Sequence, residues 1–198
     1  MNDNQSYWRH SGTPLASLPV CEGSHQCDVV VIGGGFTGLS AALHIAQDGR
    51  QPIVLEAQDV GFGASGRNGG FVSGKFRSSL EGIAKSDGVE TARRLLDLGH
   101  EAVEAVEQLV GEHGIADANY RRCGYIIAAH TPKAFGELAA GYEWQKRTLG
   151  SHGAELLAAG AMAERAGSPA ALVCILRDYG ARRATPQTLA LGWADQQN

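Results

Sequence analysis

The hydrophobic pattern near the start of the chain predicts a strand, a helix and a second strand. Residues 28–32 form a short β-branched run, apolar on both faces, which is typical of a central strand in a parallel sheet. From Phe36 to Gln47 the apolar positions recur at helical spacing, and Asp48-Gly49 closes the helix. Residues 52–56 predict a second strand with an acidic residue at its carboxyl end. Together they predict a βαβ unit with parallel strands.

The pattern later in the chain predicts a mixture of helices and strands. Its strongest element is an amphipathic helix over residues 88–113, with one apolar stripe and its glutamates mostly outside that stripe. Thr131-Pro132 begins another helix that runs to about Leu149, because proline is favoured at the first helical position. The other predicted elements are a strand at 124–127, an alanine-rich helix at 154–166, a strand at 172–176 and a final helix at 186–194.

Glycine is the feature of the composition that changes this picture. The chain has 198 residues, which suffices for one ordinary domain or two small ones, and 27 of them are glycine. Eleven of these glycines lie between Gly33 and Gly74. The excess is therefore local and indicates a site built from glycine-rich backbone.

Charge and cysteine usage exclude several classes of protein. The net charge is −4 without a Lys/Arg block, so the footprint of a nucleic-acid-binding protein is missing. No apolar run is long enough to span a bilayer. Residues 1–8 lack the basic and apolar regions of a secretory signal, so we expect a cytoplasmic location. Four cysteines without CxxC spacing and seven scattered histidines predict neither a disulfide framework nor a metal site.

A GxGxxG fingerprint joins the first predicted strand to the helix. It reads Gly33-Gly34-Gly35-Phe36-Thr37-Gly38, and Glu56 ends the next strand 18 residues later. The first glycine suits a tight turn, the second lets a pyrophosphate approach the backbone, and the third lets helix and strand pack closely. The helix N-terminus offers unpaired N–H groups and a partial positive charge to the phosphates. A tight turn without a ligand is the alternative interpretation.

The acidic residue and the segment after it bear on the type of dinucleotide. Glu56 favours a bare ribose diol over a 2′-phosphate, which disfavours NADP and leaves NAD and FAD open. Glycine-rich residues 61–71 follow, and their glycines permit backbone amides to face a planar polar ligand. Ser65 and Asn68 would supply side-chain hydrogen bonds, and Arg67 a positive charge. A mobile surface loop is the alternative interpretation of this segment.

Residues 28–74 resemble the FAD-dependent D-amino-acid oxidase/glycine oxidase superfamily, in particular its gamma-glutamylputrescine oxidoreductase-like branch. The matching text is DVVVIGGGFTGLSAALHIAQDG followed by IVLEAQDVGFGASGRNGG. The GASGRNGG block is far more specific than GxGxxG and separates this family from nicotinamide dehydrogenases. Ser6-Tyr7-Trp8 is also similar to that branch. The resemblance is strong over residues 6–74, moderate over 75–167 and thin after that.

The resemblance implies FAD as the cofactor and an oxidase activity. The implied reaction oxidises a C–N bond of an amine or amino acid by hydride transfer to the flavin; dioxygen then reoxidises the flavin and gives hydrogen peroxide. No catalytic residue is assigned, and Phe71 departs from the glutamine that is common there in this branch. The implied FAD contacts are Gly33, Gly35, Phe36, Thr37 and Gly38 at the pyrophosphate, Glu56 and Ala57 at the adenosine ribose, and Ala64, Ser65, Arg67, Asn68, Gly69 and Gly70 along the ribityl-flavin end.

The architecture that the resemblance implies is an α/β fold, with a Rossmann-like FAD-binding βαβ unit, extra helices and the start of an α+β substrate domain. Members of the family are much longer, so this architecture is incomplete and an N-terminal fragment is expected. An incomplete parallel sheet exposes an edge, through which association is expected. The expected boundaries are an irregular N-terminal arm at 1–26, the FAD-binding unit at 27–80, a helical region with the start of the substrate domain at 81–167, and a poorly matched segment at 168–198.

Two other functions stay open at this point. One is a truncated, non-catalytic product that binds FAD weakly or not at all. The other is a small NAD-binding Rossmann protein, which the GASGRNGG block disfavours.

Overall fold

The computed structural model describes residues 6–11, 18–151, 153–166, 173–177 and 182–183. The helix expected at 186–194 lies outside the described residues. In chain order the elements are α1 (Tyr7–Ser11), β1 (Val29–Ile32), α2 (Phe36–Gln47), β2 (Pro52–Leu55), β3 (Phe71–Val72), α3 (Leu80–Asp87), α4 (Val89–Glu112), β4 (Arg121–Arg122), β5 (Tyr125–Ala129), α5 (Pro132–Leu149), β6 (Ala154–Ala158), α6 (Ala159–Ala166), β7 (Val173–Arg177) and β8 (Arg182–Arg183).

The chain divides into two compact units. Unit 1 takes its residues from 1–71, 107–121 and 183–198, and unit 2 from 72–106 and 122–182. The domain boundaries expected from the sequence, at residues 80 and 167, stay predictions. None of the helices in the described ranges combines the length and apolar character needed to cross a membrane.

Unit 1 contains the predicted βαβ unit. β1 and β2 pair in parallel, from Val29 opposite Pro52 to Ile32 opposite Leu55. α2 buries Leu39, Ala42 and Leu43, the apolar positions at helical spacing, and packs on both strands. The strand–helix–strand order and the parallel pairing are therefore as predicted, which gives an incomplete Rossmann-like α/β unit.

Among the described residues β1 pairs with β2 alone, so it is not the central strand that the sequence predicts. Val30 is 53% exposed and Ile32 is 87% exposed. The physical reason is that α2 covers one face of β1, and in the described part of the chain β2 is its one paired strand. The apolar residues of the other face therefore lie open to solvent.

Part of the expected irregular arm is helical instead, over Tyr7–Ser11. α1 begins after Ser6, whose carbonyl oxygen accepts hydrogen bonds from the backbone N–H groups of Arg9 (3.1 Å) and His10 (3.4 Å). The Ser6 hydroxyl also accepts from the Arg9 N–H, at 3.3 Å. Serine before a helix is a recognised N-cap, and this local signal explains the turn.

Unit 2 contains an antiparallel sheet in the order β5-β7-β6. The expected helix over 154–166 is wrong in its first part, because Ala154–Ala158 form β6 and only Ala159–Ala166 form α6. β6 pairs with β7, and this non-local pairing overrides the helical preference of alanine. Leu157 of β6 and Met162 of α6 are buried together, next to Ile126 and Ala128 of β5.

The two long helices follow the sequence closely. α4 runs over Val89–Glu112 and buries Ala92, Gly99 and Val103 on its apolar stripe. α5 begins at Pro132, and the Thr131 hydroxyl caps it by accepting from the Ala134 N–H at 3.1 Å. Both helices confirm the predicted elements, with α4 ending one residue earlier than expected.

Gly99 of α4 lies directly against the backbone of Gly74. A Cβ at residue 99 would lie 2.6 Å from the carbonyl oxygen of Gly74 and 3.2 Å from its Cα. Such distances require the backbone itself to move. The apolar stripe of α4 therefore approaches the segment before α3 only because both residues lack a side chain.

We expect Gly99→Ala to lower the free energy of unfolding by about 1–3 kcal/mol, the usual range for overpacking. Gly141→Ala in α5 is the matched control, since a Cβ there meets nothing within 4 Å. The control should gain about 0.5–1 kcal/mol, because alanine is the better helix former. Urea unfolding curves measure both values. Equal effects of the two substitutions would contradict the close contact.

We also expect a pH-dependent contribution from His100, which lies half-buried in α4. Burial lowers the pKa of its imidazole below 6.5, and the charges of Asp97 and Glu104 act in the opposite direction. As pH falls below 6.5, the unfolded chain therefore takes up a proton that the folded chain resists, and stability falls. His100→Gln should make unfolding less sensitive to pH between neutral and mildly acidic solution. Identical slopes for the two proteins would rule this contribution out.

Candidate functional site

The glycine fingerprint forms a tight turn between β1 and α2. Gly33 has a φ of +107° and donates its N–H to the carbonyl oxygen of Leu55 at 2.8 Å. A Cβ on Gly38 would overlap the carbonyl oxygen of Gly33 and lie 3.1 Å from Cγ1 of Val31. The first and third glycines thus have the structural roles expected of them: one makes the turn, and the other brings α2 onto β1.

Glu56 at the end of β2 turns its carboxylate toward the fingerprint. Its Oε2 accepts a hydrogen bond from the N–H of Gly34 at 2.7 Å, and its Oε1 accepts from the N–H of Gln58 at 3.0 Å. A carboxylate has about four acceptor positions, so two backbone bonds leave capacity for hydroxyl donors. The carboxylate is therefore fixed in place and still able to accept hydrogen bonds from a ribose.

The glycine-rich segment 61–70 lies on the fingerprint. The N–H of Gly61 donates to the carbonyl oxygen of Gly34 at 2.9 Å. The hydroxyl of Ser65 accepts from the N–H of Phe36 at 2.9 Å. The structure thus brings together two groups of predicted site residues that are about 25–30 positions apart in the sequence. We call this arrangement of residues 33–38, Glu56 and 61–70 the cradle.

Ser65 occupies the space that the second glycine was expected to leave open. A Cβ at Gly35 would lie 2.9 Å from the Ser65 hydroxyl oxygen, so the group that approaches this backbone is Ser65. Gly35 is the N-cap of α2, has extended backbone and offers no side-chain cap. The Ser65 hydroxyl therefore supplies a side-chain acceptor at the N-terminus of α2, whose partial positive charge it leaves in place.

Side chains within segment 61–70 hold it in one conformation. The Asn68 amide donates to the carbonyl oxygens of Ala64 (3.2 Å) and Ser65 (2.9 Å), and its Oδ1 accepts from the N–H of Gly70 at 2.8 Å. Arg67 donates from Nε to the carbonyl oxygen of Phe62 at 2.9 Å and lies 4.8 Å above the Phe62 ring. These contacts favour an ordered loop over the alternative of a mobile one.

The remaining predicted contacts lie on the open side of the cradle. Thr37, Ala57, Ala64, Arg67, Asn68 and Gly69 are exposed, whereas Gly70 is buried. Among the described residues, no cluster of His, Cys, Asp and Glu side chains could hold a metal ion. The cradle thus offers backbone amides, a helix N-terminus, one carboxylate and one guanidinium, which is a set suited to a dinucleotide.

A cavity within unit 2 was not foreseen from the sequence. It has a volume of about 220 Å³ and is lined by residues that include Lys75, His100, Tyr125 and Gln145. The Lys75 ammonium lies 3.8 Å from the centroid of the Tyr125 ring, a cation–π distance. Its walls come from several separate segments, so no local motif in the sequence could have revealed it.

Comparison with protein families identifies a match over most of the chain. The family model described as FAD dependent oxidoreductase (DAO) matches residues 28–197. Gamma-glutamylputrescine oxidoreductase of Escherichia coli strain K12 is 35% identical over 190 residues, which is 96% of this chain and 44% of that protein. A probable oxidoreductase of Haemophilus influenzae is 31% identical and is covered over 37% of its length. The chain therefore spans less than half the length of these relatives.

Solved structures show the same fold at low sequence identity. Glycine oxidase from Geobacillus kaustophilus superimposes with a TM-score of 0.64 at 22% identity, over 88% of this chain and 45% of that one. An L-amino acid deaminase from Proteus vulgaris gives a TM-score of 0.69 at 16% identity, over 96% of this chain and 47% of that one. These likenesses support the architecture, with about half of each neighbour represented.

We expect Ser65→Ala to expose the backbone N–H of Phe36. Loss of one net hydrogen bond is worth about 1 kcal/mol, so amide exchange at Phe36 should rise about fivefold. The amide of Leu39 bonds to the carbonyl oxygen of Gly35 within α2 and serves as the internal control. Hydrogen exchange followed by NMR measures both amides. An unchanged Phe36 rate would show that Ser65 does not cap α2.

Proposed function

The chain belongs to the DAO family of FAD-dependent oxidoreductases, and from this we propose that it provides the FAD-binding part of an amine or amino-acid oxidase. The observation that carries the proposal is the cradle, in which the fingerprint, Glu56 and segment 61–70 meet through direct hydrogen bonds. Family membership makes FAD the expected dinucleotide, and the cradle residues fit its charged and hydroxylated groups.

Each part of the cradle has a proposed role toward FAD. The N-terminus of α2 and its first amides face the pyrophosphate, where their partial positive charge stabilises anionic oxygens. Glu56, held by two backbone N–H groups, accepts hydrogen bonds from the adenosine ribose. Segment 61–70, with Arg67 on its exposed side, follows the ribityl-flavin end. When bound, FAD supplies the redox chemistry, accepting hydride from the carbon of the C–N bond.

The proposed substrate is a small amine or amino acid, with dioxygen as electron acceptor and hydrogen peroxide as product. Support comes from the 35% identical relative, whose name states that it is an oxidoreductase of gamma-glutamylputrescine. A cytoplasmic location is proposed together with this activity. The exposed Val30 and Ile32 support association through the open sheet face, since monomers rarely leave such apolar surface uncovered.

A second candidate function is a non-catalytic chain that binds FAD weakly. The specific observation in its favour is that the chain covers 44% of the Escherichia coli gamma-glutamylputrescine oxidoreductase, so the rest of that protein has no counterpart among these residues. Under this proposal the cradle forms and holds flavin, but substrate is not turned over.

One experiment separates these functions. The chain is purified, reconstituted with FAD, and assayed for peroxide with gamma-glutamylputrescine and a panel of amino acids. We expect the visible absorption of bound flavin with weak affinity, and little turnover by these 198 residues alone. Efficient turnover would eliminate the non-catalytic candidate. A colourless protein that binds NADH would overturn the FAD proposal altogether.

We expect Glu56→Gln to weaken FAD binding by about 1.5–3 kcal/mol, the range for a hydrogen bond to a charged group. The substitution leaves one acceptor oxygen for the N–H groups of Gly34 and Gln58 and removes the negative charge that the ribose hydroxyls would face. Glu143→Gln makes the same chemical change at an exposed position of α5 and should leave binding unchanged. Quenching of flavin fluorescence gives both dissociation constants. Equal affinities would show that Glu56 does not contact FAD.

A further inference from the structure

Helix α1 contacts the chain just before the glycine-rich segment 61–70 and again near the end of that segment. The indole Nε1–H of Trp8 donates to the carbonyl oxygen of Asn68 at 2.6 Å. The guanidinium of the next residue, Arg9, forms an ion pair with Asp59 at 2.5 Å. Asp59 precedes the segment, and Asn68 lies near its end. One short helix near the N-terminus thus bridges the whole of segment 61–70 across a sequence separation of 50 residues or more.

The Trp8 contact is made to Asn68, whose side chain bonds to several residues of segment 61–70. The side chain of Asn68 is bonded to Ala64, Ser65 and Gly70, and Trp8 adds a bond to the backbone carbonyl of the same residue. Trp8 is half-buried, and its ring packs edge-on against Tyr7 at 5.2 Å between centroids. The indole therefore packs against the Tyr7 ring while it donates its hydrogen bond to Asn68.

Ordering this segment is entropically costly. Five of the ten residues from 61 to 70 are glycine, the residue that loses most backbone freedom when it is fixed. Individually, an exposed ion pair or a single hydrogen bond contributes little. The contact at Asp59 lies just before the segment and the contact at Asn68 lies near its end. Together they limit the conformations open to the residues between them.

We propose that α1 is a strap that orders segment 61–70 before the cofactor binds, with Trp8 and Arg9 as positioning residues. The role of the ordered segment toward FAD rests on the proposed function, whereas the ordering itself can be measured in the absence of FAD. A segment that is already ordered loses less conformational entropy when it binds FAD. The strap therefore raises the affinity for FAD although α1 itself makes no contact with the cofactor.

The test uses the whole chain and two variants with matched controls. Trp8→Phe keeps an aromatic ring and removes the N–H donor, and Arg9→Gln removes the ion pair. Trp144→Phe in α5 controls for loss of an indole, and Arg50→Gln controls for loss of an ion pair, since Arg50 pairs with Asp48 at 3.3 Å away from the loop. Circular dichroism confirms that all four variants fold.

The first readout is hydrogen exchange in the absence of FAD, at loop amides that the structure shows to be bonded: Gly61, Gly66, Arg67 and Gly70. We expect exchange to rise about fivefold in Trp8→Phe and Arg9→Gln, the equivalent of one net hydrogen bond, and not in the controls. The second readout is the dissociation constant for FAD, which should rise by a similar factor in the same two variants.

The two readouts distinguish failure of this inference from failure of the proposed function. If the wild-type chain does not bind FAD, the proposed function fails, while the exchange rates still decide whether α1 orders the segment. If FAD binds but neither variant alters exchange, the strap is overturned and the proposed function stands. Faster exchange with unchanged affinity overturns the positioning role.

Discussion

The close approach of α2 to β1 is the contact on which the candidate site depends. It exists because Gly38 has no side chain and so fits against the carbonyl of Gly33. With α2 seated on the parallel strands, its N-terminus lies beside the carboxyl end of β2, where Glu56 emerges. Any side chain at residue 38 would overlap the carbonyl oxygen of Gly33 and so disturb the turn from which the Gly34 N–H reaches that carboxylate.

Those amides create a second requirement, because buried or half-buried N–H groups need acceptors. The Glu56 carboxylate accepts from the N–H of Gly34, and the Ser65 hydroxyl accepts from that of Phe36. Segment 61–70 is therefore held on the fingerprint by the bonds from the Phe36 N–H to Ser65 and from the Gly61 N–H to Gly34. A hydroxyl caps the helix N-terminus without cancelling its partial charge, so the site remains attractive to an anion.

How much the sequence predicts depends on how local the signal is. The structure confirms helix α2 and helix α5 with its Thr131 cap, which follow from the residues of each helix and its cap. It also confirms the βαβ order, which follows from three consecutive elements. The strand at Ala154–Ala158 does not, because its alanines favour a helix until β7 pairs with them. The bond from Trp8 to Asn68 is beyond any pattern analysis for the same reason, since it joins residues 60 positions apart.

The bonds that hold the cradle in its conformation do not depend on whether the exposed face of β1 is covered. The bonds described above for segment 61–70 lie within unit 1. They are made by Ser65, Arg67 and Asn68 and by contacts to Trp8 and Gly34. The exposed Val30 and Ile32 take no part in those bonds and lie along β1, before the turn. Covering that apolar face would add stability to the strands by the hydrophobic effect. It would not change which backbone amides the cradle presents, because these are set by glycine geometry at the carboxyl end of the strands.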